Sequence, residues 1–189
     1  MIQTASIALT LGSKQLFQDV SIKFTKGNCY GLIGANGAGK STFLKLITKE
    51  LVPSEGTIVI DSKAKISVLK QDQFAYDNNT AKDCVMMGDQ KLYEIYIKRQ
   101  TLYAKGELTD AEGEEIGQLE YDYSEIDGYK LEADSETLLS ELGVKESLHE
   151  ALMSTIEPKL KIKILLAQAL FGNPDIILLC GAITNGNYC

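Results

Sequence analysis

Residues 28–47 read NCYGLIGANGAGKSTFLKLI, and the fold turns on how this stretch divides. Positions 28–33 form a short apolar run fit for a buried strand. Gly34, Ala35, Asn36, Gly37, Ala38, Gly39, Lys40 and Ser41 then match the spacing G-x-x-x-x-G-K-[ST] at every place. From Lys40 onward Phe43, Leu44, Ile47 and Leu51 recur at helical intervals, and Pro53 ends the run. The order is strand, glycine loop, helix. Glycines let backbone amides curl round a phosphate chain, and the helix that follows points its positive end at the same charge. Lys40 is placed to reach the β- and γ-phosphates of a nucleotide, Ser41 to ligate magnesium and Thr42 to hydrogen-bond the α-phosphate.

Before the loop, SIALTLGSKQLFQDVSIKFTKG alternates apolar and polar residues around a Gly-Ser turn, which predicts an antiparallel hairpin. After it, a Pro-Ser-Glu-Gly turn leads to two further strands, over 57–60 and 66–69. The middle of the chain changes character. Leu92, Ile95, Tyr96, Leu102 and Tyr103 share one helical face, and Ile116, Leu119, Tyr123 and Ile126 another; the link KGELTDAEG carries turn and cap residues. This predicts a helical hairpin inserted between strands, over about 84–150. A short helix ending at Leu142-Gly143 follows, with the glycine past its end. A helix over 159–171 is closed by Gly172-Asn173-Pro174, and an apolar strand at 176–179 ends the regular structure.

The chain has 189 residues, long enough for one domain with an insertion, and 44% hydrophobic against 24% charged residues marks it as globular. Its apolar runs fall well short of the ~18 residues a spanning helix needs, and the start MIQTASIALT lacks the basic and apolar regions of a signal peptide. No membrane insertion and a cytoplasmic location are therefore expected. Cys29, Cys84, Cys180 and Cys189 are scattered and far from the single His149, which argues against a disulfide framework or a zinc site; they read as small apolar residues. The net charge of minus 7 is unevenly spread: positions 106–150 hold 15 acidic residues against Lys130 and Lys145. That run reads as a solvated helical surface, leaving a basic remainder that would suit polyanions.

NCYGLIGANGAGKSTFLKLI together with LLAQALFGNPDIILL resembles the ATP-binding cassette superfamily, and within it the ABC-F group, over residues 1 to about 179. The resemblance implies an α/β P-loop NTPase fold in a single domain over 1–189, with an N-terminal antiparallel β segment, an inserted helical subdomain and an incomplete sheet. It implies ATP and magnesium as ligands. It makes Gln71, after the strand ISVLK, the glutamine that senses magnesium and the γ-phosphate, with Gln73 as the alternative. The aromatic that normally stacks on adenine falls at Leu11, so a plain apolar contact replaces a ring face. ABC-F proteins pair two cassettes on one polypeptide and several act on the ribosome. A second ABC domain on an intact parent chain, and the ribosome or its RNA, are the implied partners. Lys91, Lys98, Arg99 and Lys105 on the first inserted helix are the candidate RNA contacts.

Two places depart from the family pattern. Where the family has the LSGGQ signature, this chain has Ser154, Thr155, Ile156, Glu157, Pro158, Lys159 and Leu160, without glycine; Pro158 suits a helix start, while Glu157 would repel a triphosphate. Where the family continues its apolar strand with DEPTN, Cys180 and Gly181 replace the magnesium-holding Asp and the water-polarising Glu. A thiol serves magnesium poorly and glycine offers no base. The expectation is an ATP-binding cassette with impaired hydrolysis and no catalytic residue of its own, read as a truncated or frame-altered product, with deliberate silencing as the second explanation. The alternatives are the ATP-binding subunit of a membrane transporter and a catalytically silent interaction remnant. Small-molecule kinases share the loop but not the LLAQALFGNPDIILL block.

Overall fold

The computed structural model describes residues 1–69, 72 and 74–179. Gln71, Gln73, Cys180 and Gly181 lie outside the described residues. The chain divides into two compact units, residues 1–68 together with the described residues from Pro174, and residues 69–173. The second contains the whole span 84–150 expected as an insertion.

In the first unit the predicted hairpin is present as β1 (Ile2–Leu11) and β2 (Lys14–Val20), joined at Gly12-Ser13. β1 is the shared strand of an antiparallel sheet: it pairs with β2, with the short β3 (Lys23–Phe24) and with β4 (Glu55–Ile60). The ladder to β4 slips between Ala5 and Ala8. At that slip Ser6 has φ 45°, and Gly56 has φ 80° with its α-carbon pressed on β1; a Cβ there would lie 2.4 Å from the Ser6 carbonyl oxygen. Thr4 is buried, and its hydroxyl donates to the Val20 carbonyl (3.1 Å) while accepting from the Ile22 amide (2.8 Å), so the break between β2 and β3 leaves these groups satisfied. β5 (Ile66–Leu69) and β6 (Ile176–Leu179) form a separate two-stranded sheet, with Asp175 and Ile176 both donating to the Lys65 carbonyl.

α1 (Lys40–Ile47) packs on this sheet through Phe43, Leu46 and Ile47, against Ile7 and Leu9 of β1. Each such side chain contributes about 1.5–3 kcal/mol when fully buried. The predicted face included Leu44, which is only half-buried, and Leu51, which lies past the helix end at Thr48.

The strand expected at 28–33 is not formed. These residues are irregular and exposed, with Tyr30 47%, Leu32 44% and Ile33 98% accessible. A strand exists only as part of a ladder, so apolar composition cannot make one alone. Among the described residues no strand pairs with this segment, and the sheet is incomplete.

The second unit is helical: α2 (Ala81–Met86), α3 (Gln90–Tyr103), α4 (Asp110–Glu125), α5 (Gly128–Glu141) and α6 (Pro158–Leu170). Its core includes Val85, Leu92, Tyr123, Leu139, Met153 and Ile164. The α3–α4 hairpin is the predicted one, and Thr109 and Glu112 form the capping box that starts α4. α5 runs 14 residues before Gly143, which takes φ 77° past its end. One periodicity assignment fails on α3: Tyr103 is 54% exposed, and the buried position in that register is Arg99. Ile116 and Ile126 are half-buried and pack against the core.

Candidate functional site

The loop over 34–39 is exposed and tightly curled. The Ala38 amide donates to the Ala35 carbonyl at 3.1 Å, and Gly37 and Gly39 take φ 80° and 90°. At Gly39 the backbone conformation, rather than space, requires glycine: a Cβ would meet the Phe17 ring at an ordinary 3.5 Å, but φ 90° strains any other residue. Gly39 also starts α1 without any side-chain cap, which leaves the positive helix end facing the curl. Lys40 closes the arrangement. Its ammonium donates to the carbonyls of Gly34 (2.7 Å) and Ala35 (2.8 Å) at the loop's start. Ser41 and Thr42 follow on the first turn of α1, and Asn36 stands exposed on the curl.

The structure brings together Gly34, Asn36, Gly37, Ala38, Gly39, Lys40, Ser41 and Thr42. It also adds two residues that sequence reading missed. Leu16 and Phe17 of β2 pack against Gly39, and Phe17 meets Phe43 of α1 edge-on with ring centroids 6.1 Å apart. The break in alternation at Leu16-Phe17 was the available signal: two adjacent apolar residues mark the bulge where Phe17, rather than Leu16, pairs with Leu9. Leu11 ends β1 at the hairpin tip, 48% exposed. The glycine-rich curl, the lysine and the uncapped helix fit a phosphate chain. For magnesium, Ser41 is the one described residue of the expected pair, and no group of three His, Cys, Asp or Glu that could hold a metal occurs among the described residues. Magnesium keeps several waters and shares its other oxygens with phosphates, so Ser41 would supply one oxygen of the set.

In the helical unit the degenerate signature behaves as a plain helix start. Glu157 is exposed, makes no side-chain cap, and precedes Pro158 at the first helical position. One turn on, Lys161 is 5% exposed; its ammonium donates to Asp77 at 2.6 Å and lies 5.4 Å from the Phe74 ring centroid.

The candidate RNA cations need correction. Arg99 is 7% exposed, donates to Glu120 at 2.8 Å and lies over the rings of Tyr123 (4.0 Å) and Tyr129 (5.1 Å). Lys105 pairs with Glu112. Both bind their own hairpin, so only Lys91 and Lys98 of the four present exposed side chains. Tyr129 and Tyr103 donate to Glu120, and these hydroxyls followed by Arg99 hold its carboxyl below the usual range. Burial pushes the Cys84 thiol up to about 12, which keeps it an inert core residue, whereas Cys29 is exposed rather than apolar filling.

Comparison with known proteins decides the family. A family model described as ABC transporter matches residues 17–181. The chain belongs to the ABC transporter family. It is 42% identical over 179 residues to the "Uncharacterized ABC transporter ATP-binding protein YkpA" of Bacillus subtilis, covering 95% of this chain and 33% of that protein. It is 29% identical over 189 residues to "ABC transporter F family member 4" of Arabidopsis thaliana, covering 94% of this chain and 25% of that one. The chain thus spans about a third or less of these relatives' length. Its fold is similar to a crystal structure of a nucleotide-free ATP-binding cassette from an ABC transporter, with TM-score 0.64 and 20% identity over 94% of this chain and 67% of that one. The P-loop ABC fold implied by the motifs is the fold observed, and the relatives include an F family member as the resemblance implied. No helix among the described residues is long and apolar enough to cross a membrane.

Proposed function

We propose that the chain is the nucleotide-binding cassette of an ABC-F type protein, working in the cytoplasm and holding the triphosphate of ATP, with magnesium, in the loop over 34–41. The observation that carries this reading is the Lys40 ammonium bonded to the carbonyls of Gly34 and Ala35 in a loop that turns at positive φ at Gly37 and Gly39. An incoming phosphate is the stronger acceptor, so it draws the ammonium off the carbonyls of Gly34 and Ala35. Ser41 supplies magnesium with a hydroxyl, Thr42 serves the α-phosphate, and Gln71 follows as the glutamine near the γ-phosphate. Bound magnesium neutralises phosphate charge. Hydrolysis is impaired, because Cys180 and Gly181 stand where an acid pair is needed to position the ion and polarise water.

The test is calorimetry of ATP with magnesium, followed by phosphate release from this chain and from a version carrying Cys180→Asp with Gly181→Glu. Binding with little release by the unmodified chain, and faster release after the double exchange, supports the reading. Release by the unmodified chain at a rate of about 1 s⁻¹ or more, within the ordinary enzymatic range, defeats the account of hydrolysis. Ribosome association rests on the F family likeness and leaves Lys91 and Lys98 as the exposed cations of α3; sedimentation with ribosomes in low salt tests it. A second reading, the ATP-binding subunit of a membrane transporter, is favoured by the description of the matched family. Sedimentation with membranes instead of ribosomes would select it.

A further inference from the structure

We infer that Asn36 is a site of spontaneous deamidation, in which the Gly37 backbone nitrogen displaces the side-chain amide as ammonia, and that a nucleotide in the loop holds the reaction back. The protection, though not the reaction, rests on the phosphate site proposed above. Asn36 and Gly37 are the central residues of a turn closed by the Ala38 amide on the Ala35 carbonyl, and φ 80° at Gly37 is the conformation a type II turn requires there. Both residues are exposed. The turn's own bond does not use the Gly37 amide, which has no hydrogen bond among the described residues, and the Asn36 side chain has none either. Nothing lies within 4 Å of the place a Gly37 Cβ would take, so no neighbour crowds this peptide. The other described asparagines lack the arrangement. Asn28 gives its side-chain amide to the Thr25 hydroxyl at 2.8 Å, and the residue after it carries a side chain that hinders attack. The amide after Asn78 donates to the Tyr76 carbonyl (2.9 Å), the amide after Asn79 to the Asp83 carboxylate (3.3 Å), and Asn173 is followed by Pro174, which has no N–H.

The chemistry needs only water. Water or hydroxide takes the Gly37 amide proton, the nitrogen bonds to Cγ of Asn36, and the Cγ–Nδ2 bond breaks as Nδ2 takes up a proton and leaves as ammonia. Water then opens the cyclic imide at either carbonyl, which leaves aspartate or isoaspartate at position 36. No electrons are gained or lost. Either product sets a negative charge in the curl that is to hold phosphates, and isoaspartate also lengthens the backbone by one carbon. A bound triphosphate accepts from the loop amides, so the Gly37 proton is held and anionic bases are kept away. The empty loop is the one that ages.

The full chain is incubated in mildly alkaline buffer with magnesium, with and without ATP, then digested with trypsin, and fragmentation of the peptide over 27–40 locates the conversion. Conversion at Asn36 well ahead of Asn28, which shares that peptide, supports the inference, as does isoaspartate at 36. ATP at about ten times its calorimetric dissociation constant is expected to slow the conversion about tenfold, in proportion to the loop left empty. Asn185, in the chain's other Asn-Gly pair, is the clock in the same digest, against which slowing at 36 marks protection by the loop's own ligand. Asn36→Gln should stay unconverted, because the longer side chain closes its ring far more slowly. Asn36→Asp, its folding verified by circular dichroism, should bind ATP about tenfold or more weakly. Conversion at Asn36 no faster than at Asn28 overturns the inference. Equal rates at 36 with and without ATP, in a chain that calorimetry shows to bind it, overturn the protection. Conversion at 36 in a chain that takes up no ATP sustains the reaction and defeats the phosphate site instead.

Discussion

Lys40 acts twice, first on the loop and then on its ligand. In the structure it ties Gly34 and Ala35 together through their carbonyls, so the loop is held curled by the group that is to meet the phosphate. Lys40→Ala is therefore expected to weaken triphosphate binding about tenfold to a hundredfold, the range for a hydrogen bond to a charged group. The thermal shift produced by saturating ATP should disappear with it. A different residue controls stability: Gly56, whose φ of 80° and closeness to the Ser6 carbonyl forbid a side chain. Gly56→Ala should lower unfolding free energy by about 2 kcal/mol or more, read from urea denaturation, because both backbone strain and a steric clash oppose it. The motif GANGAGKS made Lys40 legible in the sequence. Nothing local marks Gly56, since its constraint comes from a strand some fifty positions away.

At the level of elements, the α3–α4–α5 region is held by charges that read in the sequence as a solvated surface. Arg99, Glu120, Tyr103 and Tyr129 form one cluster, and Lys82 pairs with Glu132 and Glu136 at 3.0 and 2.8 Å. Arg99→Met would leave Glu120 without its cation beside a buried gap, and should destabilise the chain by about 2–3 kcal/mol; the Glu120 side chain is 30% exposed, which keeps the loss below that of a fully buried pair. Acid provides an independent check. Hydrogen bonds from Lys105, then from the Thr109 amide and hydroxyl, hold the Glu112 carboxyl down at about 2 against an ordinary 4.5, and Glu120 shifts the same way. A carboxylate held low stabilises the fold fully above its unfolded value and loses that contribution as pH falls through its folded one. The urea midpoint should therefore drop between pH 4.5 and pH 2, and Glu112→Gln should make that drop shallower. Lys82 moves the other way: burial would lower its ammonium, but hydrogen bonds to Glu136 and Glu132 outweigh burial and raise it, so its contribution persists below 10.5 and fades only in strong alkali. Helical periodicity located α3 and α4 but could not tell a buried arginine from an exposed one, because the neutralising partner lies on another helix.

Over the whole molecule, the elements with their own local logic were legible and those that depend on neighbours were not. The hairpin with its Gly-Ser turn, α1 after the loop, the Thr109 capping box and α6 after Pro158 all carry their start or turn signals within a few residues. The apolar run at 28–33 carries a strand's composition yet stays irregular, because strand formation is a property of the pair. Charge is divided in the same uneven manner. Residues 69–173 hold 21 acidic and 11 basic residues, whereas the rest of the chain holds five and eight. Polyanion binding by the residues outside 69–173 should thus be the more sensitive to salt, since only their balance is positive.

The exposed side chains of Leu32 and Ile33 make the chain a hazard to itself in the test tube. An apolar stretch whose backbone has no ladder among the described residues is an invitation for the same stretch of a second molecule to pair with it. Turbidity and dye uptake should climb steeply with protein concentration, chaperones should retain the nascent product, and Ile33→Lys should clear the solution while leaving the circular dichroism spectrum unchanged.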